Sequence, residues 1–106
     1  MIITTTPSIP NHEIEKILGI ARGSTVRARN VGRDIMAGLK GLVGGEIEEY
    51  TQLQAFAREQ ALQRMIEDAQ KLGADAVVGV RIATSMIMQG ASEVMAYGTA
   101  VKLKNI

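Results

Sequence analysis

The side chains able to do chemistry are few and far apart in this 106-residue chain. Cysteine is absent, and the one histidine, His12, stands near Glu13 and Glu15. Imidazole with carboxylates suits a borderline metal ion and sulfur suits a soft one, but a structural site needs about four donors. His12 reaches that number only if its copies meet around a symmetry axis; a histidine in a solvated turn is the commoner situation. Met86 and Met88 lie two apart on one strand face and suit a Cu(I)-like ion, although such methionines more often fill a core. Glu46, Glu48 and Glu49, and the Glu67-Asp68 pair, supply carboxylates, yet acid–base work needs burial to shift a pKa, and these read as solvated helix positions. Ser85 and Ser92 have no base nearby in sequence and no nucleophile-elbow motif. Residues 38–46 are rich in glycine but lack the Lys-Ser/Thr ending of a phosphate loop.

Arg22, Arg27, Arg29 and Arg33 are the one local basic concentration. Arg27 and Arg29 share a strand face, and with Arg33 they make a candidate carboxylate or phosphate site at a subunit junction. Interface ion pairs with neighbours such as Asp34 compete with that reading.

The elements that would position these groups come from periodicity. An apolar start at Met1-Ile2-Ile3 runs into Thr4, Thr5 and Thr6 and ends at Pro7 and Pro10, predicting a short strand and a turn. Residues 14–28 alternate as a long strand, with a bend expected at Gly23. Asp34 can cap a short helix carrying Ile35, Leu39 and Leu42, with Gly38 and Gly41 on its adjoining side and Gly44-Gly45 at its end. Residues 46–72 are uninterrupted by Gly or Pro and predict a long helix stopped by Gly73. Its stripe is Tyr50, Gln54, Ala57, Ala61, Met65 and Leu72, widened by Leu62, Ile66 and Ala69. Two strands follow, 76–88 and 93–103, joined by about four residues in an antiparallel hairpin.

Within the three long strands one parity carries large aliphatics and the other small residues: Gly19, Ala21 and Gly23; Gly79, Ala83 and Ser85; Ala96, Gly98 and Ala100. Since side chains alternate across a strand, the bulky rows are expected under the long helix and the smooth rows against a second subunit. Gly19, Ala21, Gly23, Gly38, Gly41, Gly79, Ala83, Ala96, Gly98 and Ala100 are therefore the expected oligomer interface.

Composition narrows the field. The net charge of +1 gives no field to draw in nucleic acid or an anionic membrane. Aromatic residues are 3% of the chain, too few for a base-stacking platform. No apolar run approaches the ~20 residues of a membrane span, and no signal-peptide pattern opens the chain, so the expected location is the cytoplasm.

Four runs are distinctive: Gly32-Arg33-Asp34-Ile35-Met36-Ala37-Gly38; Val43-Gly44-Gly45-Glu46; Leu72-Gly73-Ala74-Asp75-Ala76-Val77-Val78-Gly79-Val80; and Tyr97-Gly98-Thr99-Ala100-Val101. In this order the chain resembles, over essentially its whole length, the YbjQ family of small bacterial and archaeal proteins. The resemblance implies an α+β protomer grouped with dodecin-like folds, a ring-shaped homopentamer, no established activity and the label "putative heavy-metal-binding". From residues and resemblance together, the expectation is one α+β domain over residues 1–106. Its order is β-β-α-α-β-β, with a mainly antiparallel sheet and one long helix on one face. The expected function is non-enzymatic and cofactor-free, a homo-oligomer that partners itself and binds a small ligand at a ring axis or subunit junction. The alternative is a heavy-metal-binding protein, with His12 as its candidate ligand.

Overall fold

The computed structural model describes the backbone of residues 1–28 and 45–104 and the side chains of 1–27 and 55–104. The expected short helix after Asp34, and with it Arg29, Arg33, Gly38 and Gly41, lies outside the described residues. The elements are β1 (Ile2–Ile3), β2 (Ile14–Ala28), α1 (Gly45–Lys71), β3 (Ala76–Met88) and β4 (Ala91–Leu103). The strands form one mixed sheet in the order β1-β3-β4-β2. β1 runs parallel to β3, while β3 with β4 and β4 with β2 are antiparallel. A single α+β domain is what the periodicities predict, with a two-residue connection, Gln89-Gly90, in place of the expected four.

Helix α1 ends as its sequence requires. Gly73 takes φ +78°, its N–H donates to the Gln70 carbonyl at 3.0 Å, and the Ala74 N–H donates to the Ala69 carbonyl at 3.1 Å. These two bonds satisfy carbonyls that a helix end otherwise leaves unpaired, in a conformation glycine adopts without strain. The helix lies mainly on β2 and secondarily on β4, and Ala57, Ala61, Met65 and Ala69 are buried at a spacing of four. Leu62 and Ile66 pack beside them, as the stripe predicts.

The sheet face that receives the helix is the reverse of the one expected. Ala21, Gly23 and Thr25 of β2, and Val94, Ala96, Gly98 and Ala100 of β4, are buried beneath α1. Ile17 and Ile20 of β2 and Tyr97 of β4 are left open. The helix stripe is itself mostly alanine, so two smooth surfaces meet and the backbones approach closely. A Cβ at Gly23 would meet the backbone nitrogen of Met65 and the carbonyl oxygen of Ala61. Close approach multiplies dispersion contacts that a bulky row would hold apart. Strict alternation also fails where the register shifts, at Ile14/Lys16 and Ile17/Gly19 in β2 and at Val78/Arg81 and Met86/Met88 in β3, and glycine serves two of these bulges. Gly19 at φ +134° sits where the β2–β4 register shifts, and Gly79 at φ +63° sits where the β3–β4 register shifts. Each bulge adds a residue and swaps the faces beyond it, so Val77 and Val80 point the same way, into the helix-side core. The nearest irregularity in β2 falls at Ile17/Gly19, while Gly23, where a bend is expected, pairs with Ala96 in regular register.

A second, smaller core of Ala76, Val78, Val101 and Leu103 occupies the opposite sheet face, with Ile9 and Ile14 packed on it. The segment after β1 holds that end of the sheet: Thr4 N–H donates to the Val77 carbonyl, Val80 N–H to the Thr4 carbonyl and Gly79 N–H to the Thr6 carbonyl. Beyond Val80 every remaining residue of β3 is exposed. The protomer is elongated in consequence, with a radius of gyration of 17.1 Å where a compact chain of this length has about 13 Å.

Candidate functional site

The chemistry-bearing side chains do not converge within one protomer. His12 is half-buried in the turn before β2, where its backbone N–H donates to the Ile9 carbonyl at 3.2 Å and Asn11 takes φ +65°. The Glu13 carboxylate lies 3.9 Å from the Lys104 ammonium, an exposed pair worth well under about 1 kcal/mol. Glu15 is exposed, and no group of three His, Asp or Glu residues able to hold a metal ion occurs among the described residues. Met86 and Met88 are both exposed and separated by a register shift, so they do not present one continuous face. The donors described in a single protomer therefore do not fit a heavy-metal site.

Ser92 and Ser85 are no better placed for acyl transfer. Ile14 pairs with Leu103 and Arg27 with Ser92, which puts the His12 turn and Ser92 at opposite ends of β4, roughly 35 Å apart along the strand. Of the arginines, Arg22 is exposed beside Tyr97, whereas Arg27 is half-buried and turned toward the helix side of β2. The two lie on opposite faces, and Arg29 and Arg33 fall outside the described residues.

The structure instead draws polar residues into a seam where α1 meets β2. Asp68 accepts the Arg22 backbone N–H at 3.0 Å, and Arg64 Nη1 donates to the Ser24 carbonyl at 2.6 Å. Deeper in, the Thr25 hydroxyl donates to Gln60 Oε1 at 2.6 Å. A shallow depression of about 290 Å³ lined by Arg22, Gly23, Ser24 and Met95 opens beside this seam. β2 is an edge strand, and Asp68 and Arg64 occupy outward-facing backbone groups that would otherwise invite another strand. Asp68 had read as a solvated carboxylate. The signal for its role was its spacing of four from Arg64, both flanking the apolar stripe of α1. Asp75 was also missed: its Oδ2 accepts the Leu103 N–H at 2.9 Å and its Oδ1 lies 3.6 Å from Lys102, tying the helix exit to β4.

The expected interface residues divide. Ala21, Gly23, Ala96, Gly98 and Ala100 are occupied by the protomer's own helix and strands, Ala83 is exposed, and Gly19 and Gly79 serve the bulges. The smooth rows of β2 and β4 are thus an internal packing surface, because only small residues let α1 come so near. On the far side of the sheet the part of the bulky row formed by Ile17, Ile20, Val26 and Tyr97 remains open.

Fold and seam define a small α+β protein with a four-stranded mixed sheet, one covering helix and no catalytic constellation among its described residues. A crystal structure of a protein of unknown function from Pediococcus pentosaceus, of the DUF74 family, has this fold: the two superpose with a TM-score of 0.62 over 98% of each chain, at 18% identity. Residues 1–104 match the YbjQ family, described as "putative heavy-metal-binding". The chain is 59% identical to a UPF0145 protein of Methanosarcina acetivorans over 99% of both chains. It is 61% identical to one of Archaeoglobus fulgidus, covering 98% of this chain and 96% of the relative. The chain belongs to the YbjQ family. Among the described residues no helix is long and apolar enough to cross a membrane.

Proposed function

We propose that the chain is a non-enzymatic, homo-oligomeric binding or scaffold protein. In this reading about five copies form a dodecin-like ring in the cytoplasm and enclose a small-ligand cavity at the axis or at subunit junctions. The observation that carries the assembly is the bulky row left open on the sheet face away from α1. Ile17 and Ile20 are each 69% exposed and Val26 59%, with Tyr97 beside them. Burying a large aliphatic side chain yields about 1.5–3 kcal/mol, so three such residues in water are a standing drive toward a partner. The subunit number rests on the family resemblance. Light scattering on the eluting peak of untagged protein tests the reading, with a mass several times the 11.4 kDa of one chain expected. A monomer at micromolar concentration overturns it.

The second reading is metal binding, and the family description is what favours it. A site would have to be built across copies, with His12 from each meeting at an axis. Stoichiometric zinc, copper or nickel in freshly purified untagged protein separates this reading from the first.

A further inference from the structure

The sheet protects its edges unevenly. The β2 edge carries Asp68 and Arg64 on its outward groups and two register irregularities toward its start. The inner half of the β3 edge is covered by Thr4 and Thr6, and Arg81 Nη1 caps the Val80 carbonyl at 3.0 Å. Residues 82–88 have no such device among the described residues. They read Ile-Ala-Thr-Ser-Met-Ile-Met, without charge, proline or glycine, which is the composition that pairs with another strand when left at an edge.

The backbone direction follows from the pairing. In an antiparallel ladder, hydrogen-bonding groups alternate between the two sides of each strand. Arg22 N–H and Ser24 C=O point out from β2, so Val94, Ala96 and Gly98 bond toward β2 and Glu93, Met95 and Tyr97 bond toward β3. Ile82, Thr84 and Met86, opposite Ala96, Val94 and Ser92, consequently direct their N–H and C=O outward, in phase with the outward N–H of Val80. None of these groups has a protein partner among the described residues. The side chains beside them are open as well, at 42% for Ile82, 81% for Met86, 52% for Ile87 and 64% for Met88.

We propose that residues 82–88 are the docking strand for a second copy of this chain, which adds one of its own strands to the outer edge of β3. This rests on the homo-oligomeric reading above. At on the order of 100 Å² apiece, the four large side chains expose roughly 400 Å² of apolar surface. A standard interface buries about 800 Å² per partner, a little over half of it non-polar. Spread over the two faces of the arm, this surface approaches the apolar share of one interface when the docked copy covers both faces, and the outward backbone groups supply its polar share.

Amide hydrogen exchange on the full chain, read together with light scattering, tests the proposal. The outward amides of Ile82, Thr84 and Met86 are expected to exchange slowly in the assembly and at least about tenfold faster on dilution below its dissociation midpoint. Thr84→Pro removes one outward N–H that the protomer does not use. It is expected to raise the dissociation midpoint by about tenfold while the circular dichroism of the protomer is unchanged. Thr84→Lys, which keeps the N–H and adds an edge charge, should act in the same direction should the proline variant fail to fold. An assembled protein in which these amides exchange freely, or in which neither variant weakens assembly, overturns the docking strand and leaves the homo-oligomer standing. Slow amides in a monomer show the chain's own residues covering the edge and also overturn it. A monomer with fast amides overturns both readings.

Discussion

Gly23→Ala is the sharpest test of how the protomer is packed. A Cβ at this position would meet the Met65 nitrogen, the Ala61 carbonyl oxygen and, at 2.6 Å, the Arg64 carbonyl carbon. All three are helix backbone, so no rotamer change relieves the contact and α1 must lift from β2. Gly23 is not among the glycines with positive φ, so alanine fits the strand locally, and by itself the change would gain about 0.4–1 kcal/mol from the unfolded state. Lifting the helix by even half an ångström forfeits a quarter or more of the dispersion wells along Ala57, Ala61, Met65 and Ala69. The net cost is placed at about 3 kcal/mol, the upper end of overpacking, or about 12 °C in Tm at the roughly 4 °C per kcal/mol of a domain this size. Urea melts followed by helical circular dichroism at fixed protein concentration measure it. Gly98→Ala is the graded comparison. Its nearest neighbour is the movable Val77 Cγ1 at 2.6 Å, followed by the Val78 carbonyl oxygen at 3.0 Å, so about 1–2 kcal/mol is expected. If Gly23→Ala leaves stability within about 0.5 kcal/mol and instead lowers the oligomer mass, the smooth face is a subunit surface and the helix placement is wrong.

Further outcomes follow from the same contacts. Met65→Ala, at a fully buried position in the stripe, should cost about 2–5 kcal/mol in the same melts. Thr25→Val leaves Gln60 Oε1 without its donor and should cost about 1 kcal/mol, whereas Thr25→Ser, which keeps the hydroxyl, should avoid most of that loss. Asp68→Ala uncaps the Arg22 N–H at the β2 edge; stability should fall by about 1 kcal/mol or less, while light scattering over a concentration series should reveal new higher-mass species. Titration calorimetry should find zinc, copper and nickel bound weakly or below one per chain, since one histidine and no cysteine do not make a first shell. Submicromolar binding abolished by His12→Ala would promote the metal reading.

The α+β class, the bounds of β2, the long helix with its Gly73 cap and the buried positions Ala57, Ala61, Met65 and Ala69 were all legible, because propensity, capping and a 3.6-residue period agree there. The sheet faces were not. Period-2 reasoning assigns sides correctly only along an unbroken strand, and Gly19 and Gly79 each insert a residue that reverses them. Small residues mark a close approach, but sequence does not say whether the approaching backbone is the chain's own helix or a neighbour's. The same ambiguity hid the Asp68 and Arg64 contacts, which join residues about 40 positions apart. The candidate site was legible only as types: His12, Met86 and Arg27 could be named, and only the strand pairing revealed that Arg27 and Met86 flank Ser92 at the end of the sheet remote from His12.

Native mass spectrometry of freshly purified, untagged protein tests the central claim most directly, since subunit number and retained ligand are read from one spectrum. The account predicts a single closed assembly of about five copies of the 11.4 kDa chain, carrying no stoichiometric metal and, when a ligand survives, an added mass common to every assembly. A spectrum dominated by bare monomer, or an assembly holding one metal ion per chain, would contradict it.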